Sequence, residues 1–202
     1  MLIVHQNKWL DRVQIARCAL NEVHIYMISP DTLIQLKAFA RQDGLLLALF
    51  WTASFAMTMM APQSVWGNVL AMATPFFMGW RTTLFRDGAL DGVISFRRAA
   101  AHGIYSVFYA SLVFALVQYV YFRFLDNGTF MGIMSDGVKV IEDLYKQQGL
   151  NTSEITQSLE TMRSISPVQW AFMLMLQNIT IGSLLALPVA AICKRSVRRE
   201  QI

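Results

Sequence analysis

Charged residues are scarce in this chain of 202 residues. They make up 15% of it, whereas hydrophobic residues make up 55% and the mean hydropathy is +0.41. A soluble domain has about 25% charged residues, so this chain carries more apolar surface than one soluble core needs. Helices without a charged stripe would leave no face for water, which excludes a water-soluble fold. The stretches that contain no Asp, Glu, Lys or Arg are 44–61, 65–80, 103–122 and 168–192.

Motifs of catalysis and of cofactor or metal binding are missing as well. The two cysteines, Cys18 and Cys193, have no Cys or His at ligand spacing, which argues against a metal site or a structural disulfide. The histidines His5, His24 and His102 are scattered, and no phosphate-binding loop, Gly-x-Ser-x-Gly or His-Glu-x-x-His motif occurs. We therefore expect no catalytic residue, no cofactor, no metal and no enzymatic activity.

The chain is basic, with a formal net charge of +4 and a pI near 9.3. Its basic residues flank apolar stretches instead of alternating with stacking aromatic residues, which favours a lipid bilayer over nucleic acid as the partner. The first 26 residues hold no continuous apolar run and do not resemble a secretory signal peptide. Met1 and Met27 both remain open as the start of translation.

Four membrane-spanning helices are predicted from the four uncharged stretches. About 20 helical residues cross the hydrocarbon core of a bilayer, which fits 44–61 and 103–122. The stretch 65–80 is short and follows Pro62, and 168–192 is long enough to tilt. The sequence thus predicts an all-α membrane protein with a four-helix bundle at 44–193, between a cytoplasmic segment 1–43 and a basic cytoplasmic tail 194–202.

The orientation follows from the distribution of Lys and Arg, which collect on the cytoplasmic side of membrane proteins. Basic residues precede the first span, fill the loop between spans two and three, and form the tail. The turn 62–64 has no charge, and the segment between spans three and four has four basic against six acidic residues. This alternation predicts that both termini lie in the cytoplasm.

Residues 126–167 form the one sizeable segment expected outside the membrane. Apolar residues recur there at helical spacing among charged ones, and Ser166-Pro167 ends the pattern. We expect an extracytoplasmic hairpin of two short amphipathic helices. Its apolar stripe could dock a partner or lie on the outer leaflet, but the preferred interpretation is that it packs over the outer ends of the spans.

Polar residues inside the spans suggest a possible binding site. Thr74, Ser111 and Asn178 all fall near mid-depth, where they would either form a small polar pocket or hydrogen-bond between helices. The spans contain no carboxylate, Lys or Arg, which argues against a buried proton relay. In the inner loop, Arg97 and Arg98 could contact an anionic head group, although orientation of the loop alone explains them.

Five stretches of the chain carry a family resemblance: Ala40–Gly44, Ala73–Phe77, Gly92–Phe96, Leu116–Phe122 and Ser166-Pro167. Over about residues 38–195, the chain resembles domain-of-unknown-function family 4199. The resemblance implies a small inner-membrane protein of Gram-negative bacteria with no established activity. It also implies a membrane-associated glycosyltransferase as a partner, because family members tend to be encoded beside polyprenyl-phosphate-type glycosyltransferases.

Three functions remain open at this point. The leading hypothesis is a non-enzymatic accessory protein of envelope assembly that associates with itself or with a membrane enzyme. The second is a carrier of a small solute or a lipid, with the polar pocket around Thr74, Ser111 and Asn178. The third is an enzyme acting on lipid head groups through Arg97, Arg98 and His102, which lacks an acid–base pair.

Overall fold

A computed structural model describes residues 30–148 and 152–195, and this part of the chain is helical. The segment before residue 30, with Cys18, His5, His24 and both candidate start residues, lies outside the described residues, as does the tail after residue 195. The helices are α1 (Pro30–Met60), α2 (Trp66–Met72), α3 (Thr74–Ala89), α4 (Phe96–Val120), α5 (Thr129–Gln147), α6 (Ser153–Arg163) and α7 (Pro167–Cys193), and a π-helical turn (Tyr121–Leu125) extends α4.

Three of the described helices are long and apolar enough to cross a membrane. They are Leu33–Met60 in α1, Phe96–Leu125 in α4 with its π-helical turn, and Pro167–Cys193, which is α7. The chain is thus an all-helical protein with the character of a membrane protein. Helix α7 coincides with the stretch 168–192, whereas α1 begins 14 residues before residue 44, because the charges before that position do not interrupt the helix.

The directions of the helices follow from their contacts. The indole ring of Trp51 in α1 packs edge-on against Phe114 in α4, and further along the same two helices Phe55 packs against Tyr121, so α1 and α4 run parallel. Gly182 in α7 lies against Val107 of α4, and Ala186 lies against Gly103. Because the later residue of α7 meets the earlier residue of α4, the two helices run antiparallel.

Helices α2 and α3 run end to end back along α1. Phe77 in α3 stacks on Phe50 with ring centroids 5.0 Å apart, and Ser54 donates a 2.8 Å hydrogen bond to the carbonyl oxygen of Gly67 in α2. Residues 61–95 therefore return the chain from one end of the bundle to the other, which is what the parallel arrangement of α1 and α4 requires.

The second uncharged stretch is not one helix, as the sequence predicted, because it breaks at Ala73. In a continuous helix, the N–H of residue 75 would donate to the carbonyl oxygen of Ala71. Pro75 has no N–H, so it cannot form this hydrogen bond. The hydroxyl of Thr74 takes over this role and donates to Ala71 over 2.6 Å. The same hydroxyl oxygen accepts a 3.1 Å bond from Nε1 of Trp51, which ties the break to α1.

Small residues allow α4 and α7 to approach closely. A Cβ added to Gly182 would stand 2.6 Å from Val107, and one added to Gly103 would stand 2.9 Å from the Cβ of Ala186. Ala190 is also buried. The stripe of small residues in α7 therefore serves packing within this bundle.

Helices α5 and α6 lie within the segment 126–167 and pack on each other. The start of α5 is anchored where Phe130 packs against Phe122 and Trp170, with ring centroids 4.8 and 5.0 Å away. Further along α5, Val140 and Leu144 remain more than half exposed. The apolar stripe is thus only partly covered, which differs from the preferred expectation that it packs over the ends of the spans.

Candidate functional site

A cavity of about 330 Å³ lies among α1, α2, α4 and α7. The cavity forms because α2 and α3 pack on different helices. Helix α2 packs on α1, whereas α3 packs mainly on α7. The break at Ala73 thus leaves an opening between α2 and α7. The residues that line it are Trp51, Ser54, Phe55, Thr58, Asn68, Ala71, Thr74, Phe114, Gln118, Leu174, Gln177, Asn178, Ile181, Gly182 and Leu185.

The polar groups of this cavity are uncharged. Four carboxamides reach it, from Asn68, Gln118, Gln177 and Asn178, together with three hydroxyls, from Ser54, Thr58 and Thr74. Each carboxamide offers both donors and an acceptor. Such a lining can bind groups that donate and accept hydrogen bonds, and it contains no side chain that could neutralise a charged ligand.

Gln118 forms the buried end of this polar lining. It is 3% exposed, and its Oε1 has no hydrogen-bond partner within the described residues. A buried acceptor without a partner is rare and costly, at about 1–3 kcal/mol. A donor from a bound group would remove that cost.

The sequence located this site in part. Thr74 and Asn178 both line the cavity, as the pocket hypothesis requires, but Ser111 does not. Ser111 is fully buried at another position on α4, so the fold does not bring it together with the other two. Gln118 was not among the residues that the sequence selected, because its place in the cavity depends on the neighbouring helices.

The cavity lies in the half of the bundle that contains the C-terminal end of α1. Thr58 lies two residues before the end of α1 and Trp51 nine residues before it. At about 1.5 Å per residue, the cavity extends from about 3 Å to about 14 Å below that end.

A cluster of ionisable side chains lies in the other half of the bundle, formed by residues that directly flank three of the predicted spans. Asp43 is 3% exposed, and its Oδ1 accepts hydrogen bonds from Nε, at 2.8 Å, and Nη2 of Arg81. Its Oδ2 lies 3.0 Å from Nε2 of His102, although not along the ring N–H direction. The two contacts join α1 to α3 and to α4. Sequence alone missed this cluster because Asp43 was assigned to the segment before the first span.

His102 is enclosed on its other sides. It is 1% exposed, and its ring stacks on Phe85 with centroids 4.5 Å apart and planes 10° apart. Its Nδ1 lies 3.5 Å from the hydroxyl oxygen of buried Thr82. A void of about 10 Å³ beside the cluster is about the size of one water molecule.

The proposed head-group contacts are separated by the fold. Arg98 folds inward, where it donates a 3.0 Å bond to Gln35 and its guanidinium lies 5.9 Å from the ring centre of Phe85. Arg97 is exposed. The two arginines do not form one site, since only one of them faces outward.

A family model described as "Protein of unknown function (DUF4199)" matches residues 42–195. The match includes α2 to α7, most of α1, and both polar sites. No curated protein and no solved structure matches the chain.

Proposed function

The chain belongs to the DUF4199 family, and on that premise we propose that it is a bacterial inner-membrane protein that binds a neutral, hydroxyl-bearing group in the cavity of its four-crossing bundle. The group is the head of a lipid or a small free solute, as expected of a carrier. The observation that carries this proposal is the buried, unpartnered amide oxygen of Gln118 in a cavity with an uncharged polar lining.

Four crossings are supported by the parallel arrangement of α1 and α4. If both helices cross the bilayer in the same direction, the chain must recross it between them, and α2 and α3 are the segments available. Arg81 would not prevent this crossing, because its charge is paired with Asp43. With α7 as the fourth crossing, the two ends of the described chain lie on one side, which the distribution of basic residues assigns to the cytoplasm.

The ligand class follows from the lining and from its depth. With the ends of the chain inside, the cavity lies in the outer half of the membrane, and Asn68 and Gln177 are the exposed amides at its mouth. Hydroxyl groups donate and accept hydrogen bonds as carboxamides do, whereas a charged group would be desolvated there without a counter-charge. The aromatic rings of Trp51 and Phe114 provide an apolar wall.

Binding can be tested with two neutral probes that share one sugar head group. We would measure quenching of tryptophan fluorescence in nanodiscs by glucosyl-diacylglycerol in the bilayer and by glucose in solution. Binding of the lipid alone identifies a head-group site, and binding of both identifies a solute site. Asn178→Leu should abolish binding and Ser111→Ala, outside the cavity, should not; equal behaviour of these two variants, or no binding of either probe, would contradict the proposal.

The accessory role in envelope assembly is a second candidate, favoured by the uncovered stripe of α5. Ile141 and Leu144 are about half exposed although they lie on an amphipathic helix. A membrane-associated glycosyltransferase or a second copy of the chain would cover this stripe. Mild-detergent purification followed by mass spectrometry tests the role, and repeated recovery of an unpartnered monomer would argue against it.

A further inference from the structure

The cluster of Asp43, Arg81 and His102 does more than join three helices. We propose that His102 is a proton-binding site: uptake of a proton at its Nδ1 shifts Asp43 from Arg81 to His102 and releases the ion pair between α3 and α1. The proposal is independent of what the cavity in the other half of the bundle binds.

The charges of the cluster balance while His102 is neutral, because Asp43 and Arg81 carry opposite charges. The carboxylate beside Nε2 favours the tautomer with its hydrogen on that nitrogen, which leaves Nδ1 as an acceptor for the Thr82 hydroxyl. Nδ1 then has a partner, whereas Nε2 lies close to Oδ2 without an aligned hydrogen bond.

A proton can be accepted at Nδ1 without loss of the contact between this nitrogen and Thr82. When Nδ1 gains a proton, the Thr82 hydroxyl turns and accepts from it, since a hydroxyl both donates and accepts. The ring of Phe85 lies parallel to the imidazole at 4.5 Å and attracts the imidazolium through its π face. The proton comes from the aqueous phase through the small void and past the side chain of Arg81, which is 18% exposed.

Protonation then creates competition between two cations for one carboxylate. The imidazolium attracts Asp43 more strongly than neutral His102 does, and it repels the guanidinium of Arg81. Arg81 has an alternative position, because its guanidinium already lies 5.5 Å from the ring centre of Trp80, which is 55% exposed. Release of Arg81 therefore removes the ion pair between α3 and α1, whereas the Phe50–Phe77 stack and the Trp51–Thr74 hydrogen bond remain, and α4 keeps its contact with Asp43.

The other titratable and charged side chains around the site have contacts of their own. On α1, Lys37 lies over the ring of Tyr105, and on α4 the guanidinium of Arg98 lies near Phe85. On α7, the thiol of Cys193 donates to the carbonyl oxygen of Gly79 in α3. None of the three contacts Asp43 or His102 in the described part of the chain, so the carboxylate of Asp43 and its partner Arg81 are the charged groups of this cluster.

The test is the proton affinity of His102, from the ring ¹⁵N signals of the full chain in nanodiscs, identified by their loss in His102→Gln. We expect the signals of the neutral ring to be replaced by those of the imidazolium as the pH is lowered. Replacing an adjacent charge typically changes proton affinity by about tenfold or more. Asp43→Asn should lower the affinity by at least that factor and Arg81→Met should raise it, and no change in either would overturn the proposal.

A second pair of variants tests the role of the hydroxyl. Thr82→Val removes the partner of protonated Nδ1 and should lower the proton affinity of His102. Thr83→Val, one residue further on α3 and half-buried, should leave it unchanged, because the Thr83 hydroxyl donates to the carbonyl oxygen of Trp80 instead. Equal effects of the two variants would show that the Thr82 contact is unused.

The movement of α3 is measured without altering any charge of the cluster. Spin labels at exposed Ala38 in α1 and Leu84 in α3, in a chain with both native cysteines replaced by alanine, report the separation of the two helices. We expect a longer and broader distance distribution at acidic pH, and none of this change in His102→Gln. A distribution independent of pH in the native sequence would refute the release of Arg81.

Discussion

Replacement of Gln118 by leucine separates a binding role of the cavity from a purely structural one. If the amide only joined helices, its loss would destabilise the bundle by about 0.6–2 kcal/mol, the usual value of such bonds in membranes. The structure instead gives Gln118 an Oε1 that is buried and has no partner in the described chain. Removing an unsatisfied buried group of this kind stabilises the unliganded protein by up to about 1–3 kcal/mol.

The two interpretations thus predict opposite signs for Gln118→Leu. We expect the variant to resist unfolding in mixed detergent and SDS micelles at least as well as the native sequence, and to lose binding of the glucosyl lipid. Unfolding would be followed by circular dichroism, and Ser111→Ala serves as the control for a buried polar group outside the cavity. A loss of stability of about 1 kcal/mol or more, with ligand binding retained, would refute the reasoning.

Three further predictions concern the packing of the bundle and of helix α5. Thr74→Val removes both hydrogen bonds at the break between α2 and α3 and should cost about 1–3 kcal/mol of unfolding free energy, whereas Thr180→Val, which loses one exposed local bond, should be nearly neutral. Gly182→Ala places a methyl group 2.6 Å from Val107 in α4 and should lower the free energy of unfolding by about 1–3 kcal/mol. Gly132→Ala, in open space on α5, should raise it by about 0.5–1 kcal/mol. Equal effects of the two variants would contradict the close approach of α4 and α7. Ile141→Glu should leave the thermal stability unchanged because the side chain is 49% exposed, and it should remove co-purifying partners if α5 is a docking face.

The class of fold was readable from the sequence because hydrophobic length is a local property. Uncharged stretches of about 20 residues predict spanning helices wherever they occur, and α7 follows its stretch almost to the residue. The start of α1 was not readable in this way. Asp43 marks the boundary of an uncharged stretch, but in the fold its charge is met by Arg81, which lies 38 positions later, so the helix continues through it.

The candidate sites depended on contacts that no local pattern contains. Thr74 and Asn178 were selected by depth, and the fold brings them to one cavity; Ser111 has a similar depth, but it lies outside the cavity. The helix break could have been anticipated from Thr74-Pro75, since proline removes a helical hydrogen bond and a preceding threonine can replace it. The cluster of Asp43, Arg81 and His102 could not be predicted without knowing that α1 runs parallel to α4, because this arrangement places Asp43 beside His102.

The return of the chain through α2 and α3 is tested most directly by labelling single cysteines in the full chain with a membrane-impermeant maleimide. The positions are Gln63, Asp91, Gln148 and Ile202, with both native cysteines replaced by alanine. In intact cells with a permeabilised outer membrane, we predict labelling at residues 63 and 148, and labelling at residues 91 and 202 only after the inner membrane is lysed. Labelling of residues 63 and 91 from the same side would show that α2 and α3 do not cross the bilayer, and would contradict the four-crossing bundle.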